Sequence, residues 1–267
     1  MNKLKLLDLF SGIGGFSYGL EQTQGFETIA FCEKDAFCQK VLKKHWNNIP
    51  IYDDIKNLDA RKIKADIVTF GIPCQPFSVA GKRKGSSDER WLWTETLRVV
   101  AETKCRWCIL ENVDGIINIE EGQVLQQVLK DLEEKNFESR CFVLPASGFG
   151  APHQRKRIFV IGYNAANSNG KLSNGCSSST RNSNTEQQRL DSNKSKDWNK
   201  IRSEVERCNE QTSWWQRKVK SKFFRVPDGL STRMDRFRKD RCRSLGNSIC
   251  PEIAKEIGLA ILAAENE

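Results

Sequence analysis

The chain has 267 residues, 38% of them hydrophobic and 29% charged, with 10 cysteines and a net charge of +9. That length can bury one sizeable core without disulfide or metal staples. It carries no run of about 18 apolar residues and no charged-then-apolar leader, so a soluble, cytoplasmic protein built on one large α/β domain is expected, with its cysteines as free thiols.

From Lys3 to about Tyr163, short apolar runs alternate with amphipathic stretches, the βα rhythm of a largely parallel sheet. The first run lies in LLDLFSGIGGFSYGL (Leu6–Leu20). It ends at Asp8–Leu9, turns through Gly12, Gly14 and Gly15, and passes into a helix near Phe16. Such a strand, turn and helix lets a ligand approach backbone amides at the C-terminal edge of a parallel sheet. A dinucleotide fingerprint would need glycine where Ser17 stands, so a nicotinamide pyrophosphate fits poorly. The second run, ETIAFCE, closes on Glu33, at the right distance to accept both hydroxyls of a ribose. Asp54, where a third strand would end, is placed to accept from an adenine amino group. Together these features describe an adenosine site without a diphosphate.

The fourth run, ADIVTF, leads into GIPCQPFS (Gly71–Ser78), which puts Cys74 at the same sheet edge as the glycine turn. Pro73 and Pro76 restrict the backbone on both sides and fix the direction of the thiol, a rigidity that a core cysteine would not need. The basic loop SVAGKRKGSSDER (Ser78–Arg90) follows. Next comes the strand WCILENV, with Glu111 near its end; strand packing is the expected role of Cys105 and Cys108, both in the apolar run CRWCILENV, since no second cysteine pair or histidine couple accompanies them for zinc. GQVLQQVLKDLEEKNF reads as a helix with Val124, Leu125, Val128, Leu129 and Leu132 on one face. The last two strand candidates, ESRCFVL and RIFVIGY, are joined by PASGFGAPHQRK, too short for a crossover helix, which predicts an antiparallel hairpin at one sheet edge.

Beyond residue 163 the texture changes. Asn164 to about Asn199 is rich in Asn, Ser and Lys and poor in aliphatics, as in a poorly ordered or partner-ordered insertion, and regularity returns near SWWQRKVKSKFF. Asn164–Lys222 holds 12 Lys and Arg against 6 Asp and Glu, and Arg225–Arg243 holds 7 against 3, so the basic surplus is confined to this part of the chain. Such a surplus suits a polyanion. CPEIAKEIGLAILAA reads as a final helix with Pro251 near its first turn; Ile253, Ile257, Leu259, Ala260 and Ile261 are expected to return it to the first domain.

DLFSGIGGF, GIPCQPFS, ENV (Glu111–Val113), QRKRIFVIG (Gln154–Gly162) and LGNSICP (Leu245–Pro251) resemble, in order, the motifs of the cytosine-5 DNA methyltransferases, in a compact, phage-like form. The resemblance implies an α/β fold of the Rossmann-like, S-adenosylmethionine-dependent methyltransferase kind: a mixed sheet with an antiparallel edge hairpin and a small target-recognition insertion. It implies a catalytic and cofactor-binding domain over 1–163, a recognition region over 164–222, and a C-terminal segment over 223–267. In that scheme Cys74, as thiolate, adds to C6 of a flipped cytosine, Glu111 protonates or hydrogen-bonds N3, and Arg155 and Arg157 oppose charge near O2. S-adenosylmethionine is the methyl donor, and Phe10, Ser11, Gly12, Gly14, Gly15, Glu33, Asp54, Asn247 and Ser248 are the residues expected to bind it. Double-stranded DNA is the expected partner, with no metal and no membrane, and a monomer is expected. The loop Ser78–Arg90 resembles the family's mobile segment that closes over the flipped base. His153 departs from the usual Gln of the family, which leaves its substrate contact open. A branch with the same motifs methylates cytosine in transfer RNA and is the alternative substrate reading; an inactive DNA-binding homologue fits less well, because both Cys74 and Glu111 are kept.

Overall fold

The structure is a computed structural model that describes residues 2–72, 92–151, 154–167 and 238–266. Seven strands form one sheet: β1 (Leu4–Leu9), β2 (Phe26–Cys32), β3 (Ile51–Tyr52), β4 (Ile67–Gly71), β5 (Trp107–Val113), β6 (Glu138–Pro145) and β7 (Lys156–Tyr163). Their spatial order is β3-β2-β1-β4-β5-β7-β6. The first five are parallel, whereas β7 runs antiparallel to both β5 and β6. The expected mixed sheet and edge hairpin are therefore present, and the hairpin's second strand, not its first, joins the parallel part.

The parallel strands are apolar on both faces because helices cover both. Leu4, Leu6, Ile67, Ile109 and Phe159 point to one side, where they meet α1 (Gly15–Glu21) and α6 (Pro251–Ala264). Leu7, Leu9, Val68, Phe70, Cys108 and Leu110 point to the other, against α3 (Trp93–Thr103) and α4 (Gln123–Glu134). α2 (Ala36–His45) starts from the N-cap of Asp35, whose carboxylate accepts from the amides of Phe37 and Cys38. α5 (Arg238–Asn247) precedes α6.

The final helix packs back on the first domain as expected. Gly19 makes the α1–α6 crossing close: a Cβ there would lie 2.3 Å from the Pro251 carbonyl oxygen. The apolar face of α6 differs in part from expectation. Ile253, Ala254, Ile257, Gly258 and Ile261 are buried, while Leu259 and Ala260 are exposed, because a 3.6-residue repeat turns them away from the stripe that meets α1. On α4, Val124, Leu125, Val128 and Leu132 are buried, with Leu129 packed at the margin.

The Cys105 and Cys108 thiols are both buried in the core beside α3 and β7. Burial pushes Cys105 up to about 12 and Cys108 well above its ordinary value, so both stay protonated and act as small apolar groups. Among the described residues no group of three or more His, Cys, Asp or Glu side chains is placed to hold a metal ion, and no helix is long and apolar enough to cross a membrane.

Candidate active site

In this sheet the chain winds outward from β1 to β2 and β3, then restarts on the other side with β4 and β5, so the strand order reverses between β1 and β4. Ligands of open α/β sheets bind beyond the C-terminal ends of the strands at such a reversal. The glycine turn leaves β1 at that point, and the segment carrying Cys74 leaves β4 beside it.

The turn is held by specific contacts. Phe10, Gly12 and Gly14 have φ of 53°, 55° and 84°. At Gly14 glycine is needed for space as well as for φ, since a Cβ would come within 2.7 Å of the Trp46 ring. The buried Ser11 hydroxyl donates to the Asp8 carbonyl at 2.5 Å. Glu33, at the end of β2, accepts from the Gly12 amide at 2.7 Å with one carboxylate oxygen and from the Asp35 amide at 2.7 Å with the other. The Glu33 carboxylate is thereby fixed against the turn, half-buried at the same edge.

Asp54 lies two residues past β3, where its carboxylate caps a 3₁₀ turn by accepting from the Lys56 amide and pairs with the exposed Lys34 ammonium at 3.1 Å. The Lys56 amide is the main reason its carboxyl sits below the usual range, helped by Lys34. Lys34 thus engages one Asp54 carboxylate oxygen and the Lys56 amide the other.

The segment of Asn247 and Ser248 crosses the start of α1. The Ser248 hydroxyl lies 2.8 Å from where a Gly15 Cβ would stand, and Asn247 is exposed. Two anchors hold this strap. On one side the Arg155 guanidinium donates to the carbonyls of Leu245, at 3.3 Å, and Ser248. On the other, Arg243 pairs with Asp35 at 2.5 Å and Ser244 meets the Cys38 thiol at 3.5 Å.

Glu111 stands in β5 with Gly71 of β4 and Phe159 of β7 as its cross-strand neighbours. A Cβ on Gly71 would lie 3.2 Å from a Glu111 carboxylate oxygen. The other carboxylate oxygen meets the Arg157 guanidinium at 2.9 Å, and the Glu111 side chain is only 13% exposed. Burial raises the Glu111 carboxyl above its ordinary value, and the nearby Arg157 and Arg155 charges pull it back part of the way. Arg155 itself is lowered by burial and by the like charge of Arg157. An acid that retains its proton more readily than usual, beside two cations, can donate to a substrate and stabilise charge developing on it.

The structure thus brings together Glu111 of β5, Arg155 just before β7 and Arg157 within it, and it brings Phe10, Ser11, Gly12, Gly14, Gly15, Glu33 and Ser248 around the turn after β1. Cys74 and the loop Ser78–Arg90 lie outside the described residues; the chain leaves β4 beside Glu111 three residues before that cysteine. His153 and residues 168–237, most of the basic stretch, also lie outside them. Asn164–Asn167 belong with the main sheet: the Asn164 side-chain amide donates to the Lys135 carbonyl, and that of Asn167 to the Cys105 carbonyl. The sequence reading missed Asp8 and Asp35. For Asp8 the available signal was an acid inside an apolar strand; for Asp35 it was an Asp just before a helical pattern.

A family model described as C-5 cytosine-specific DNA methylase matches residues 4–234. The chain is 36% identical over 163 residues to the Type II methyltransferase M1.ScrFI of Lactococcus lactis subsp. cremoris, covering 60% of this chain and 42% of that one. It is 36% identical over 177 residues to the Type II methyltransferase M.AquIA of Picosynechococcus sp., covering 59% of this chain and 71% of that one. A solved prophage-encoded chain from E. coli superposes with a TM-score of 0.52 at 26% identity, over 61% of this chain and 47% of that one. The chain spans about half the length of most of the curated relatives it matches.

Proposed function

We propose that this chain, which belongs to the family of C-5 cytosine-specific DNA methylases, transfers a methyl group from S-adenosylmethionine to C5 of a cytosine flipped out of double-stranded DNA, in a restriction-modification or DNA-protection setting. The observation that carries the reading is the placement of Glu111: buried, paired to Arg157 at 2.9 Å, and directly beside Gly71, from which the chain runs to Cys74.

The residues around the turn fit the methyl donor. Gly12 has open space where a side chain would stand. The half-buried Glu33 carboxylate beside it suits a ribose diol, and the strap carrying Ser248 borders the same turn. When bound there, the cofactor supplies an electrophilic methyl carbon. Asp54 would take an adenine amino group in exchange for Lys34, a surface ion pair that costs about 1 kcal/mol or less to open.

Cytosine C5 is too weak a nucleophile unaided. Addition of the Cys74 thiolate to C6 places an electron pair at C5, while Glu111 shares its proton with N3 and Arg157 faces the charge at O2. Once C5 carries the methyl group, loss of the C5 proton and expulsion of the thiolate restore the aromatic ring. Arg155 keeps the approach to β7 joined to the strap bordering the cofactor turn, which holds acid and donor site in one frame. The Lys and Arg residues of 164–222 supply phosphate contacts, while a few polar side chains of the same region read base edges.

Bisulfite sequencing of plasmid DNA from cells expressing the chain tests this reading, with purified transfer RNA assayed in parallel. Protected cytosines in one short sequence context are expected. Methyl transfer confined to transfer RNA would replace the DNA reading.

A further inference from the structure

At the strand-order reversal, Asp8 of β1 is the register partner of Thr69 of β4. Asp8 is buried, with 1% of the residue exposed. One carboxylate oxygen accepts from the Thr69 hydroxyl at 2.8 Å and the other from the Ser17 hydroxyl of α1 at 2.9 Å; both hydroxyl residues are fully buried. The Asp8 carbonyl holds the Ser11 hydroxyl as well.

Among the described residues no cation pairs with Asp8. Burial pushes its carboxyl up to about 7, and the like charge of Glu33 at the end of β2 adds to the rise. The groups facing it from α1, β4 and the turn are the hydroxyls of Ser17, Thr69 and Ser11. A buried acid without a counter-ion is a costly way to fill an interior, and an apolar side chain would pack there at less expense. Its position offers a reason for keeping it. The Asp8–Ser17 contact brackets the whole Gly12–Gly15 turn, and the Asp8–Thr69 contact grips β4 two residues before Gly71, where that strand faces Glu111.

We propose that Asp8 is a positioning residue with two arms: through Ser17 it sets the turn that seats the methyl donor, and through Thr69 it sets the strand that delivers Cys74, fixing donor and nucleophile relative to one another. This rests on the methyltransferase reading above. Misplacement of reacting groups by about 1 Å can cost about a hundredfold in rate, so one shared anchor is an economical way to hold both.

The two arms make the role separable from simple structural support. Ser17→Ala should weaken binding of S-adenosylhomocysteine about tenfold, with kcat at saturating cofactor little changed. Thr69→Val should leave that affinity nearly intact and slow the chemical step about tenfold. Asp8→Asn should show both effects. Isothermal titration with S-adenosylhomocysteine and single-turnover methylation, with melting temperatures as a folding control, read these separately. Wild-type protein that fails to bind S-adenosylhomocysteine overturns the functional reading and this inference with it. Wild-type binding that Ser17→Ala and Thr69→Val alter alike, or not at all, overturns the role of Asp8 alone.

Discussion

Asp8 and Glu111 are carboxylates buried on the same sheet, two strands apart, and their surroundings differ in kind. Asp8 meets two hydroxyls and is sealed; Glu111 meets a guanidinium and its side chain keeps 13% of its surface exposed. In both, burial raises the carboxyl, but only Glu111 has nearby cations to offset the rise. The contrast separates two uses of a buried acid. Neutral donors make a fixed strut, whereas cations beside a partly open acid leave its proton available for exchange with a ligand.

The sharpest break in this comparison comes at Glu111. Glu111→Gln keeps the size and hydrogen-bonding shape but removes the exchangeable proton, and should lower kcat by about 10²–10⁴ while S-adenosylhomocysteine affinity is unchanged. Single-turnover rates beside titration of the cofactor product would check it. Equal loss of both would mean that Glu111 supports the fold rather than the chemistry.

Arg157→Ala probes the cation side. Removing the charge 2.9 Å from Glu111 takes away the main force opposing desolvation, so the Glu111 carboxyl should rise further. A fall in kcat of about 10² is expected. The part of the kcat–pH profile that follows Glu111 should move to higher pH, because the carboxyl then keeps its proton over a wider range. A profile that drops in height without moving would uncouple the pair.

The effect at Asp8 should appear in stability more than in that profile. Its folded value of about 7 lies above the unfolded 3.8, so the native state holds the extra proton between those limits and loses stability as pH rises through them. The full difference is on the order of 4 kcal/mol for a group with these values. Asp8→Asn carries no such penalty. Its melting temperature relative to wild type should therefore climb from pH 5 to pH 8, by several degrees at about 2 °C per kcal/mol. A pH-independent difference would contradict the assignment.

How far the sequence reveals these two acids follows from what each depends on. Glu111 and Arg157 sit in short motifs attached to strongly apolar strands, and strand, residue and edge were all readable from local pattern; β5 spans Trp107–Val113 as expected. The glycine turn and Glu33 were legible for the same reason. Asp8 was not, because its meaning lies in the β1–β4 pairing and in Thr69, 61 residues away. β3, only two residues long, left little periodicity to read, and Lys34 on Asp54 and Arg155 on the strap are contacts made by tertiary placement alone. Leu259 and Ala260 show the opposite error: hydrophobic identity suggested burial, but helical phase decides which apolar residues face inward.

The central claim is covalent attack by Cys74 at a flipped cytosine, and an oligonucleotide duplex bearing 5-fluorocytosine within the methylated sequence tests it most directly. With fluorine at C5 there is no proton to lose, so the thiolate cannot be expelled after methyl transfer. Incubation with S-adenosylmethionine should give a stable protein–DNA adduct whose mass maps to the peptide containing Cys74 and which Cys74→Ala does not form. An enzyme that methylates ordinary cytosine in that sequence yet yields no adduct at Cys74 would contradict the account.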